Sequence, residues 1–529
     1  MHSNKGKSGR FEDNCTGLAV FTFLLACATL LDLNKDIALL TDFSTFSPIS
    51  LLGFAFVFLP IWTILKPSSL LRSIPFFVFL LIAIIARMQS VPNHTFVLSF
   101  ILITILVCFI YSKIKERGNF TKNRFYELFA PVLRLELIII YFWAAFHKIN
   151  TDFLNYKISC ATVELFIIKD TIPFFPTPDW FIFINPYLTL SIEFLIPILL
   201  IIPKTRIYGL ILGFCFHFFL GFTYTGFSVL VYSLYSLFIP SSSYDRIKTH
   251  VDRLEDRISE AIPRISNYKH WKKRKFVNFI ANVVLILLIF FTLHVFLTGS
   301  HKTSFLVSRE GLYLIFCILL GIAFVYFVVI RMKELRIDER MIFIPEKKWL
   351  LIFPAIIVLN GLFPHIGLKN IQVLAMFSNL QTEGGKTNHL LIPSSFQIFN
   401  NLEDLVSIKR SNHKTLNQLS GYVSERRQGI KGITTILAPK HYVQYMKDKN
   451  EDFRTTFMYK IPFVKLQNIV TQLANKGVRN IELSYEREGE IFYTKNAELD
   501  PLLNNASIFQ IKFLSQRAVP DDERGLCMW

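Results

Sequence analysis

The residues best equipped for chemistry in this 529-residue chain are a lysine, two histidines, a tyrosine and an arginine, in or beside long apolar runs. Lys148 closes a run that begins near Glu127 and ends Tyr141-Phe-Trp-Ala-Ala-Phe-His-Lys148. A lysine at the end of a membrane-length helix commonly snorkels to the lipid surface. Held in a partly dry cavity, a lysine gives up its proton more readily and can act as a base. Spacing bears on the choice. Arg134, Ile138, Tyr141, Ala145 and Lys148 recur at helical intervals and fall on one stripe. Arg134 and Glu136 are charges within the apolar run, costly unless they face protein or a partner. The stripe is therefore expected to face protein or a cavity, with Lys148 at its end.

Three further groups join it. His94 follows Pro92-Asn93 in a short connection; alone, it reads as a solvated loop residue or a helix cap. His217 lies inside Phe214-Cys-Phe-His-Phe-Phe219; alone, it reads as a hydrogen-bonded core histidine. Glu193, in Leu190-Ser-Ile-Glu-Phe-Leu195, reads as a partner in helix–helix hydrogen bonding. Helix order and charge bias put Lys148, His94 and His217 towards one side of a membrane. A base and two imidazoles in one sheltered hollow would suit proton abstraction.

The elements that must position these groups are set by composition. Hydrophobic residues make up 52% of the chain and charged residues 18%, which excludes an ordinary soluble protein of this length. Apolar segments run over roughly 16–33, 46–65, 72–89, 95–112, 127–149, 183–203, 207–223, 226–240, 276–298, 311–331 and 349–367. The pair 207–223 and 226–240 is short and reads as two crossings or a re-entrant pair. The expected fold is an α-helical multi-pass membrane protein of about 9–11 transmembrane helices with a C-terminal extracytoplasmic α+β domain. The division is a cytoplasmic arm (1–15), a transmembrane domain (16–368) and an extracytoplasmic domain (369–529).

The net charge of +18 fits a positive-inside bias better than nucleic-acid binding. Lysine and arginine cluster at Lys5–Arg10, Lys113–Arg124, Arg246–Lys275 and Arg331–Lys348, all on one side if the N-terminus is cytoplasmic. Lys148 and the C-terminal part then lie on the other side. The Trp271-Lys-Lys-Arg-Lys275 run would touch anionic lipid. The partners implied are the lipid bilayer and no nucleic acid. The seven cysteines show no CxxC and no paired spacing, so neither a zinc site nor a disulfide framework is expected. A Cys160–Cys527 bridge would require both to face outward.

The C-terminal part has a soluble composition. Ile481–Tyr485 and Ile491–Tyr493 alternate around Gly489, which predicts a hairpin. Val464–Ala474 has helical spacing, ended by Lys476-Gly477. The Gln381–His389 stretch with Gly384-Gly385 reads as a turn, not a P-loop.

Taken together, these motifs resemble the vitamin K-dependent γ-carboxylase group and its bacterial HTTM (horizontally transferred transmembrane) relatives. The residues that carry the resemblance are Arg134-Leu-Glu136, Tyr141-Phe142, Ala145-Phe-His-Lys148, Asp152-Phe153, Asn93-His-Thr-Phe96 and Phe214-Cys-Phe-His217 with Ser228 and Tyr232. Met376-Phe-Ser-Asn379, Asn388-His389 and the ending from Phe513 to Trp529 are similar to the bacterial branch. The resemblance implies an enzyme using a reduced vitamin K-type naphthoquinone, O2 and CO2 to carboxylate a glutamate of a peptide on the extracytoplasmic side. It implies Lys148 as the quinol base, His94 as acid and oxyanion partner, and His217, Tyr141 and Arg134 as members of the quinone pocket. The external part, of about 160 residues, is short for the propeptide-binding region of the mammalian enzymes. Some relatives act in peptide maturation and export, so a non-enzymatic membrane protein that binds lipid or peptide is the other expectation.

Overall fold

The computed structural model describes residues 15–32, 48–86, 88, 91–115, 120–223, 225–239, 311, 313–322, 343–419, 422–424, 439–450, 456–514, 516–520 and 527. The expected segment 276–298, the basic run 271–275 and all but the last residue of the arm 1–15 lie outside these residues. The chain is mostly helical. Its helices are α1 (Thr16–Asp32), α2 (Pro48–Ile64), α3 (Leu70–Ala86), α4 (Asn93–Lys115), α5 (Lys122–Phe146), α6 (Cys160–Thr171), α7 (Asp179–Ile201), α8 (Arg206–Leu220) and α9 (Thr225–Ser236). They continue with α10 (Tyr313–Ile322) and α11 (Ile352–Leu362), then α12 (Lys440–Asp448), α13 (Phe463–Asn475) and α14 (Ile508–Phe513).

Three of these helices, α4, α5 and α7, are long and apolar enough to cross a bilayer. Helices α1, α3, α8, α10 and α11 are apolar but shorter. Against an expectation of about 9–11 crossings, three helices of membrane length occur among the described residues. At 15 and 12 residues, α8 and α9 fall short of a straight crossing. Helix α6 was not foreseen: its run is only 12 residues and carries Glu164 and Lys169.

Contacts divide the chain into two compact units. One contains 1–80, 102–135 and 225–351. Its centre is α1, buried along most of its length and packed on α9 and α2. Phe21 and Phe125 bracket Phe129 there, at 5.8 and 5.0 Å between ring centroids. The other unit contains 81–101, 136–224 and 352–529. It holds the C-terminal sheet, whose antiparallel strands are β1 (Leu405–Ser411), β2 (Tyr422–Ser424), β3 (Thr456–Pro462), β4 (Leu483–Arg487), β5 (Glu490–Thr494) and β6 (Val519–Pro520). Their order is β2-β3-β1-β4-β5, with β6 paired to β3.

The local reasons for this sheet are legible. Arg487 pairs with Glu490 across a two-residue turn in which Glu488 and Gly489 both have positive φ. That is the primed turn whose twist matches paired strands. Helix α13 buries Phe463, Leu466, Val470 and Leu473 on one face, at helical spacing, against Val406, Ile408, Ile461 and Leu483 of the sheet. It ends where Gly477 turns with φ of 78°, and Val478 N–H returns to the Leu473 carbonyl.

The cysteines correct an expectation. Cys160, at the start of α6, and Cys527 form a disulfide, and the Cys527 N–H donates to the Ile158 carbonyl at 2.9 Å. Phe153, Phe166, Tyr442 and Met446 pack around the bridge. Spacing along the chain carried no sign of it, because the partners are 367 residues apart.

Candidate functional site

Lys148 stands two residues beyond α5, in a turn closed by Lys148 N–H to the Ala145 carbonyl at 3.0 Å. The helix stops short of it, so the stripe of α5 ends at Ala145 and the turn carries the lysine inward. The lysine is 3% exposed. Its ammonium donates to the Met376 carbonyl at 3.0 Å and the Ala144 carbonyl at 3.3 Å, and pairs with Glu193 Oε2 at 2.9 Å. It also lies 5.7 Å from the centre of the Phe153 ring. Of its three N–H donors, two meet backbone carbonyls, and the carboxylate of Glu193 neutralises its charge. Neither His94 nor His217 is among the partners of Lys148.

Glu193 reaches this point because α7 is inverted in character. Its buried stripe carries Asn185, Glu193, Ile196 and Leu200, while Phe183, Ile184, Leu195 and Ile198 face outward. A helix with its polar groups inside and large apolar side chains outside is compatible with membrane insertion. Asn185 Nδ2 donates to the Ala161 carbonyl at 2.7 Å and so ties α7 to α6.

The third ionisable group is Glu164, one turn into α6 and buried. It interacts electrostatically with both Lys148 and Glu193. Its Oε1 is buried without a hydrogen-bond partner. Burial first pushes its carboxyl up to about 8; Lys148 opposes the shift and Glu193 adds to it. One cation and two carboxylates in a dry place leave a net negative charge unless one proton is retained. Burial favours the protonated form of both carboxyls, Glu164 and Glu193. Sequence reading missed Glu164; the signal was an acid within the apolar Ala161-Thr-Val-Glu-Leu-Phe-Ile-Ile168.

The segment that supplies the Met376 carbonyl is unusual. Gln372, Leu374, Phe377 and Asn379 all have positive φ. Non-glycine residues seldom adopt that region, and clusters of them mark functional or heavily constrained sites. Side-chain amides hold the segment in place. Asn150 Nδ2 donates to the Ser378 carbonyl at 2.6 Å and Asn379 Nδ2 to the Ile158 carbonyl at 3.0 Å. Gln372 Nε2 donates to the Val91 carbonyl at 3.1 Å.

Tyr141 and His217 are brought together: the hydroxyl and Nε2 share a hydrogen bond of 2.6 Å, and both side chains are buried. His94 is the second residue of α4 and half-buried. Two residues on, the Phe96 ring lies 4.5 Å below the ammonium nitrogen of Lys369. Burial pushes Lys369 down to about 7. Arg134 belongs to the other unit, where its Nε donates to the Leu237 carbonyl at 2.7 Å.

A cluster of imidazoles that sequence reading did not foresee flanks the end of α5. His147 donates from Nε2 to the Gly361 carbonyl at 3.0 Å. His389 donates from Nε2 to the Phe146 carbonyl at 3.0 Å, and its Nδ1 accepts from the N–H groups of Leu391 and Ile392. The His365 ring lies 5.1 Å from that of His147 and 4.9 Å from that of His389. His147 Nδ1 and both ring nitrogens of His365 are buried without a hydrogen-bond partner, and no group of three or more metal-ligating side chains placed to hold a metal ion occurs among the described residues.

Comparison with models of known families, with curated proteins and with solved structures finds no match to this chain.

Proposed function

We propose that this chain is an integral membrane enzyme of the vitamin K-dependent γ-carboxylase type, in which the buried Lys148–Glu193–Glu164 cluster handles a proton of a reduced naphthoquinone. One observation carries the reading: a buried lysine is set against two buried carboxylates, and an oxygen of each, Glu164 Oε1 and Glu193 Oε2, has no hydrogen-bond partner. Such a group has no need of this arrangement for packing alone, since an apolar replacement is often as stable or more so. The Tyr141–His217 pair fits a quinol hydroxyl as a hydrogen-bonding neighbour. Arg134 Nε donates to the Leu237 carbonyl, which does not bar the part that the resemblance implies for this residue, since a guanidinium carries further donors.

The reduced naphthoquinone supplies oxygen-dependent formation of a strong base, with CO2 and a peptide glutamate as co-substrates. The chain supplies proton control. Within the 2.9 Å pair, Glu193 takes the proton of the Lys148 ammonium and leaves a neutral amine able to accept a phenolic proton. Glu164 holds the balancing proton, and exclusion of water protects reactive species. His94 acts as the acid and oxyanion partner. The C-terminal part and the peptide lie on the extracytoplasmic side, with the N-terminus in the cytoplasm. The Cys160–Cys527 bridge supports that side, since disulfides persist in oxidising compartments.

The test is direct. Purified protein given reduced vitamin K under oxygen should form its epoxide, and Lys148→Ala should lower the rate by roughly 10²–10⁴-fold, as loss of a general base does. Absence of quinol consumption, or a Lys148→Ala variant as active as the parent, overturns the reading. A second reading is favoured by the two backbone carbonyls and the one carboxylate that hold the Lys148 ammonium in place. In it, the cluster is structural and the chain is an HTTM-type protein that binds lipid or peptide during maturation or export. Under that reading no quinol turnover is seen, while Lys148→Ala still loses thermal stability.

A further inference from the structure

The segment 390–399 carries exposed apolar side chains and is anchored at helix ends. Leu390, Leu391, Phe396, Ile398 and Phe399 are all exposed; Ile398 is 74% and Leu391 63% accessible. A polar, folded region does not normally present so many large apolar side chains in so short a stretch without something to cover them. What covers them is indicated by where the segment is tied. The Leu390 N–H donates to the Ile149 carbonyl at 2.9 Å, and Asn150 forms a bridge with His389. The N–H groups of Ile398 and Phe399 both donate to the Ile366 carbonyl, at 3.1 and 3.0 Å. Ile149 lies three residues past the end of α5, a helix of membrane length, and Ile366 four past the end of α11. The outward faces of these helices are apolar too: Phe142 on α5, and Ile352, Ile356 and Leu359 on α11. The exposed segment thus continues the apolar outer surface of the helices beyond their ends.

We infer that residues 390–399 form an interfacial anchor that inserts Leu390, Leu391, Phe396, Ile398 and Phe399 among the lipid headgroups and upper acyl chains, seating the end of α5 against the bilayer surface. The inference rests on the reading that α5 and α11 are immersed in lipid. Apolar side chains at the level where spanning helices emerge gain burial in the headgroup–acyl boundary without crossing it. Pro393 and the single 3-10 turn Ser394–Phe396 suit a shallow loop rather than a further crossing. The anchor also bears on the candidate site. His389 precedes the segment and holds the Phe146 carbonyl, two residues before Lys148.

The experiment uses the full chain in liposomes, in a Cys215→Ala background, since Cys215 is the exposed free cysteine among the described residues. Ile398→Cys, Leu359→Cys and Lys386→Cys are each labelled with an environment-sensitive fluorophore. The liposomes carry lipids with a nitroxide near the carbonyl end of the acyl chain. The label at 398 should emit to the blue and lose most of its intensity to the nitroxide, as should that at 359, while the label at 386 keeps its emission. Quenching at 359 but not at 398 overturns the anchor and leaves the membrane reading of α11 standing. A blue-shifted, unquenched label at 398 overturns it in favour of a protein cover, such as a second copy. Absence of quenching at both positions overturns the anchor together with the immersion of α11.

Discussion

At the scale of single residues, the Lys148–Glu193 pair is the most consequential contact. Glu193→Gln leaves a buried ammonium without its counter-ion, which should cost roughly 3–5 kcal/mol. Lys148→Met combined with Glu193→Leu should recover much of that loss, because an apolar pair needs no compensation. Thermal unfolding of the three proteins in detergent checks the order, and equal midpoints would deny the pair its structural weight. Acidity gives a second test. Between about 4.5 and 8 the unfolded chain has lost the Glu164 proton while the folded chain keeps it. Stability contributed by this group therefore falls as pH rises through that window, with a slope approaching ~1.4 kcal/mol per pH unit. Lys369 acts in the opposite sense: between about 7 and 10.5 the unfolded amine is charged and the folded one neutral, so stability rises with pH there. In plots of unfolding midpoint against pH, Glu164→Gln should flatten the first slope and Lys369→Met the second. How far the residues were legible follows from the same chemistry. The buried end of the Tyr141–Lys148 run could be read from charges inside a long apolar run, with Arg134 and Lys148 on one helical stripe. Glu164 left a weaker sign, a single acid in the apolar run of a 12-residue helix, and nothing in that run names Lys148 and Glu193 as its neighbours.

At the scale of elements, the hairpin around Gly489 and helix α13 follow from alternation, helical spacing and a glycine that turns the chain. The segment 372–379 does not, since Gln372, Leu374 and Phe377 announce no positive φ; hydrogen bonds from Asn150, Asn379 and Gln372 tie it to distant parts of the chain. Packing of α5 against α11 supplies a sharper case. A Cβ at Gly361 would lie 2.3 Å from the Trp143 indole. That ring cannot retreat easily, as it stacks on His147 at 5.1 Å and His365 at 6.3 Å. Gly361→Ala should therefore destabilise by about 1–3 kcal/mol, the usual cost of overpacking, despite alanine's better helix propensity. A midpoint that rises instead would show that the indole has room to move.

At the scale of the whole molecule, the described helices and the C-terminal sheet make a largely helical chain with three helices of membrane length. Composition foretold the helices; it could not foretell which short runs stop before a full crossing. Nor did it foretell the covalent link. Of seven cysteines, five are free. Alkylation of the unreduced protein in SDS should accordingly add five labels by mass, and reduction should raise the number to seven; seven labels without reductant would exclude the bridge. The link has a consequence for handling the protein. Any single backbone cut in the stretch it encloses, including one in the long basic region after Ser236, leaves both fragments travelling as one species on a non-reducing gel. Cleavage in that stretch shows itself only once thiol is added, so an intact band without thiol is no guarantee of an unbroken chain.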